Sequence, residues 1–162
     1  MHWPLFALVV AAAFAPSPAA AQSSTDEAAA LALADSALAA ITREDHHALA
    51  DLFIDGGTLV AMPPGGGQPR VTTKAQVRAT PMDGDFVERG WNGVATLSGA
   101  IATVRLPYDF YRNGAWSHCG VDVFSLVRTD AGWRIAALTY TVEQPPVCDP
   151  HPDGPPSASP GS

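Results

Sequence analysis

The chain has 162 residues, 47% of them hydrophobic, with 9 basic against 16 acidic side chains and a formal net charge of −7. That length fits one domain able to bury a core. The acidic balance, with no basic side chains clustered, argues against a nucleic-acid partner.

Leu5 to Phe14 is an apolar run of signal-peptide length. Pro16-Ser17-Pro18 breaks it, and Ala19-Ala20-Ala21 offers an A-x-A cleavage pattern before Gln22. The run is too short to span a bilayer as a helix. Residues 1–21 are therefore expected to be a signal peptide, although the segment before the apolar run has no Lys or Arg. The mature protein is expected to be periplasmic or secreted, with no membrane association after cleavage. Export makes Cys119 and Cys148 disulfide candidates; the alternative is a buried free Cys119 and an unpaired Cys148.

Ser24-Thr25-Asp26-Glu27 matches a capping box ahead of an alanine-rich run. Leu31, Ala34, Leu38 and Ile41 follow at helical spacing, which predicts a helix over 25–42. Asp45 caps a second, short helix carrying Leu49, Leu52 and Phe53 on one face, and Gly56-Gly57 ends it. His46 and His47 are adjacent and point about 100° apart on a helix, so they cannot form a two-His metal face. Residues 58–62 read as a strand, 63–69 as a Pro/Gly loop, 73–80 as a short helix, 82–93 as irregular and 94–97 as a strand. The loop lacks the Gly-Lys-Ser/Thr ending of a phosphate-binding loop. Beyond Glu143 the chain is rich in Pro, Gly and Ser, and 147–162 is expected to be a disordered tail, leaving 22–146 as the domain.

Residues 100–142 hold three long β-rich runs. Asn113-Gly114 is a type I′ hairpin signal and Asp130-Ala131-Gly132 a looser turn. Pairing Arg112 with Ala115 sets Asp109 opposite His118 and Arg105 opposite Asp122. Pairing Thr129 with Gly132 sets Asp122 opposite Thr139. Residues of one parity share a face. One face then holds Arg105, Asp109, His118, Asp122 and Thr139, with Phe124, Leu126, Trp133 and Ile135 at its other end. The opposite face holds Val104, Leu106, Tyr108, Val121, Val123, Leu138, Tyr140 and Val142. Pro107 cannot donate to the ladder, and a bulge there would exchange faces. The order of elements is α+β, with N-terminal helices packed on one face of a strongly curved antiparallel sheet. The other apolar face calls for a second subunit, hence a homodimer.

The element order and the 130–135 hairpin Asp-Ala-Gly-Trp-Arg-Ile resemble the nuclear transport factor 2-like superfamily, also called SnoaL-like or the cystatin-like α+β cone. Pro107-Tyr-Asp-Phe-Tyr111, Ser117-His-Cys-Gly-Val-Asp122 and Gly132-Trp-Arg-Ile-Ala136 resemble its bacterial branch named for lumazine binding. The resemblance covers about residues 25–143. It implies a cone-shaped pocket between sheet and helices and, commonly, a homodimer. The superfamily includes ketosteroid isomerase, scytalone dehydratase, limonene epoxide hydrolase and polyketide cyclases beside members of no known activity.

Two functions follow. One is an exported binding domain for a small apolar or amphipathic molecule, without catalysis, contacted by Arg105, Asp109, His118, Asp122 and Thr139. The other is a cofactor-free lyase, isomerase or hydrolase. There Asp109 orients His118 for proton transfer, and Arg105 with Asp122 positions a water or an acid group. The same four residues also make sense as structural cross-strand pairs. No cofactor is called for, and no His/Cys/Asp spacing suits a metal.

Overall fold

The computed structural model describes residues 18–157. The first helix, α1, spans Pro18–Thr42 and starts earlier than the capping-box signal implies. Proline is tolerated in a first turn, and the alanines after it are strong helix formers. Ser24-Thr25-Asp26-Glu27 therefore lies inside the helix, where Asp26 pairs with Arg128 of the sheet. The buried stripe of α1 is Ala30, Leu33, Ala34, Ala37 and Leu38. Its small alanines let the helix lie close to the sheet.

Helix α2 (His46–Asp51) is capped by Asp45, whose carboxylate accepts from the Ala48 N–H at 2.8 Å. Strand β1 (Phe53–Met62) begins almost at once. Gly56-Gly57 therefore does not end the helix but sits in β1, where the pairing with its neighbour shifts between Phe53 and Thr58. Gly56 has φ +81°, and a Cβ on Gly57 would lie 3.0 Å from the Phe53 ring. The two glycines thus allow the strand to kink over the core. Strand β2 (Arg70–Thr73) leads into α3 (Lys74–Ala79), where Thr73 and Gln76 form a capping box. The stretch read as irregular contains β3 (Phe86–Gly90), which precedes β4 (Val94–Ser98).

The long strands β5 (Ile101–Arg112), β6 (Ala115–Thr129) and β7 (Gly132–Thr141) form the meander. Asn113 and Gly114 both have positive φ, 53° and 71°, as a type I′ turn requires. Strand order is β2-β1-β7-β6-β5-β3, with β4 also paired to β5. The curved, unclosed sheet is antiparallel except between β1 and β7, which run parallel. It is therefore mixed, with the first strand added in parallel to the edge of the meander formed by the last three. Pro107 causes no bulge. Its carbonyl accepts from the Trp91 N–H in the gap between β3 and β4, so its missing N–H faces a place where no neighbouring strand needs it.

After β7 the chain crosses back over the sheet. Cys119 pairs with Glu143 through the backbone, and Gln144 donates to the Ser117 carbonyl at 2.7 Å. Cys119 and Cys148 are joined in a disulfide, Cα to Cα 5.8 Å. The His151 N–H donates to Asp109 at 3.0 Å. The expected leader falls largely on residues outside those described; its last four, 18–21, lie in α1. Among the described residues no helix is long and apolar enough to cross a membrane.

Candidate functional site

One extra residue decides which side chains meet. Arg112 pairs with Ala115 and Tyr111 with Trp116, but Phe110 pairs with His118, so Ser117 is a bulge in β6. A one-residue slip turns every following side chain to the other face. Beyond the bulge Asp109 stands opposite Cys119, and Asp122 opposite Leu106 rather than Arg105. A second irregularity near Ala136 sets Asp122 opposite Tyr140 rather than Thr139. The expected Asp109–His118 and Arg105–Asp122 pairs do not form. His118 and Asp122 share the helix-side face with Tyr108, Phe110, Leu138 and Tyr140. Arg105, Asp109 and Thr139 lie on the opposite face.

The helix-side face and the helices enclose a cavity of about 730 Å³, within the usual range for small-molecule sites. Its apolar wall includes Ile41, Leu49, Leu59, Val77, Phe86 and Phe110. Its polar groups include Glu88 from β3, His118 and Asp122 from β6, Tyr108 from β5, Tyr140 from β7, and Arg70 with Gln76 from β2 and α3. Asp122 is 1% exposed, and its Oδ2 has no hydrogen-bond partner. Such an atom is uncommon in a folded interior.

Burial sets the charge states here. It pushes the Asp122 carboxyl up to about 8. Glu88 is also raised well above the ordinary carboxylate range, first by burial and then by Asp122 nearby. Near neutral pH Asp122 therefore retains its proton and can act as a hydrogen-bond donor, and Glu88 is shifted in the same direction. Burial lowers the pKa of His118, which keeps the imidazole neutral. The ring stacks on Phe110 with centroids 4.9 Å apart, and its Nδ1 lies 2.9 Å from the Ser117 Oγ. The bulge residue thus both turns His118 inward and orients it. The Tyr108 hydroxyl is already committed, donating to the Thr141 carbonyl at 2.7 Å. The Tyr140 hydroxyl accepts from Arg70 Nη2 at 3.3 Å, which leaves its own hydrogen for another acceptor.

Asp109 belongs to the scaffold. It is fully buried, held bidentate by Arg89, its partner across β3–β5, at 3.0 and 2.6 Å, and capped by the His151 N–H. Arg105 is exposed on the same outer face and makes none of these contacts. Among the described residues no group of three His, Cys, Asp or Glu side chains is placed to hold a metal ion. Glu88 and Arg70 were not foreseen. Glu88 lies in a stretch with no clear periodicity, and Arg70 lies at the end of a Pro/Gly loop. Tyr108 and Tyr140, expected on the apolar face, line the cavity.

No family model matches the chain, and no curated protein does. Solved structures do. A nuclear transport factor 2-like protein with a cystatin-like fold from Novosphingobium aromaticivorans superposes with TM-score 0.62 at 18% identity, covering 76% of this chain and 86% of that one. A nuclear transport factor 2-like superfamily protein from Salmonella enterica gives 0.62 at 16% identity, covering 76% and 95%. A ketosteroid isomerase-like protein from Erwinia carotovora gives 0.53 at 21% identity, covering 74% and 98%.

Proposed function

We propose that this chain, which has the nuclear transport factor 2-like fold, is an exported small-molecule-binding protein whose ligand occupies the cavity beneath the helices. The observation that carries the reading is Asp122, a buried carboxyl with an unpartnered oxygen beside a large, mainly apolar cavity. Leaving a buried polar atom unsatisfied costs about 1–3 kcal/mol. A ligand carbonyl or hydroxyl would recover that free energy at this point and so be selected there. The N-terminal apolar run and the Cys119–Cys148 disulfide support export to an oxidising compartment. The outer sheet face, with Val121 and Val123 half-buried and Val94 and Ile101 exposed, supports a homodimer.

Native mass spectrometry of the full chain, expressed with its leader and purified without denaturant, tests this reading. A bound species of a few hundred daltons, lost on Val142→Trp within the lining, is the expected result. A wild-type protein that carries no ligand and takes up none from an extract of its host would count against it.

The second reading is a cofactor-free lyase, isomerase or hydrolase. The Asp–His–Arg group foreseen for it is replaced by Asp122, Glu88 and His118. A protonated Asp122 would polarise a carbonyl or protonate a leaving group, and neutral His118 would accept a proton. The presence of paired carboxyls and an imidazole in one cavity favours this reading. Incubating the retained ligand with fresh protein and following product by NMR distinguishes the two; an unchanged ligand leaves binding alone.

A further inference from the structure

The cavity's polar groups are unequal in charge. Arg70 is the one guanidinium or ammonium in the lining among the described residues, and it lies at the exposed rim of β2. The other lining groups able to carry charge lie on β3, β5, β6 and β7, with Asp122 and Tyr108 almost fully buried. Among the described residues no carboxylate comes within 4.0 Å of Arg70. By contrast Lys74 and Arg78, the other cations near this end, are paired with Asp55 and Asp51. The neighbour Arg70 does have is the Tyr140 hydroxyl, which accepts from Nη2 and keeps its own hydrogen to give. Arg70 and Tyr140 therefore form a two-residue donor set facing the cavity. Tyr140 stands directly across the strand pair from Asp122, so one tyrosine side chain separates the rim cation from the buried acid.

We propose that the cavity selects an amphipathic organic acid, its anionic head on Arg70 and the Tyr140 hydroxyl and its apolar body against Leu49, Leu59, Val77 and Phe86. This rests on the reading of the cavity as a ligand site and specifies which ligands it takes. A guanidinium and a phenol hydroxyl whose oxygen Arg70 already engages present N–H and O–H donors outward, which suits a carboxylate or sulfonate. The acids deeper in the cavity do not cancel the charge on Arg70, because burial holds Asp122 and Glu88 toward their neutral forms. His118, likewise kept neutral, adds no second positive charge. The cavity is thus electropositive at its rim and neutral at its floor, so a dianion or a cation is disfavoured.

The test uses two fluorescent probes that differ by one anionic group, 8-anilinonaphthalene-1-sulfonate and N-phenyl-1-naphthylamine, titrated into the full mature chain. Wild type is expected to bind the sulfonate more tightly. Arg70→Gln should weaken the sulfonate about tenfold and leave the neutral amine unchanged. Arg70 is exposed on an edge strand, so the variant should melt as wild type does. If both probes bind Arg70→Gln as they bind wild type, anion selection is wrong while the ligand cavity stands. If wild type binds neither probe, the cavity reading and this inference fall together. Sulfonate binding that survives Val142→Trp lies outside the cavity and also overturns the inference.

Discussion

Asp109 and His118 lie on opposite faces of the same sheet. Asp109 is buried and ion-paired to Arg89, and His118 is stacked on Phe110 inside the cavity. They are close in the ladder, yet they serve different ends, one structural and one at the site. The single bulge at Ser117 makes the difference.

That division has a direct consequence for Asp109. Asp109→Ala would leave the Arg89 guanidinium and the His151 N–H without their shared acceptor. A loss of about 3 kcal/mol in urea denaturation is expected, the range for breaking a buried pair, discounted because Arg89 remains 20% exposed. Ligand retention at temperatures well below the melting point should be unaffected. A variant of wild-type stability that no longer holds ligand would put Asp109 back in the site.

Asp122 should make stability depend on pH in an unusual direction. Its carboxyl is pushed up to about 8 from an ordinary 3.8, so between those values the folded state holds more protons than the unfolded one. Stability then falls as pH rises from about 4 through 8, by up to about 1.4 kcal/mol per unit. Glu88 acts with the same sign. His118, lowered by burial, acts oppositely, but only below its ordinary 6.5, where falling pH removes stability. The interval from pH 7 to 8 therefore isolates the acids. Denaturation across it should show a downward slope that Asp122→Asn flattens; the same slope in the variant would contradict the assignment.

Gly120 is required by a close approach, since a Cβ there would lie 2.1 Å from the Thr141 carbonyl oxygen. That oxygen accepts the Tyr108 hydroxyl, so the glycine makes room for the bond that holds Tyr108 at the edge of the cavity. Gly120→Ala should destabilise by about 1–3 kcal/mol, as overpacking does, and weaken ligand retention as well. Wild-type melting of this variant would show that the approach is relaxed in solution.

The outer face gives a prediction about assembly. Light scattering at micromolar concentration should report twice the chain mass, and Val123→Glu, central on that face, should give a monomer. A wild-type monomer would mean that the face is tolerated in water.

Local chemistry in the sequence carries most of the fold. Asn113-Gly114 and Thr129/Gly132 define two hairpins, Asp45 and Thr73 cap two helices, and the strand patterns locate the meander. The faces were not legible in the same way. Ser117 and Ala136 have no side-chain signature of a bulge, and each reverses the parity of all that follows. Hence His118 and Asp122 reach the cavity while Arg105, Asp109 and Thr139 do not. Two further polar groups of the cavity, Arg70 and Glu88, come from β2 and β3, short strands whose few residues give no periodicity to read.

The protonation of Asp122 is the point on which the site depends, and carbon-13 NMR of the side-chain carboxyls reads it directly. With Asp122 assigned through Asp122→Asn, its resonance should stay at the protonated position through pH 6 and move only near pH 8. A resonance that titrates near pH 4, like an exposed aspartate, would mean that water reaches the carboxyl freely and that no neutral donor waits at the end of the cavity.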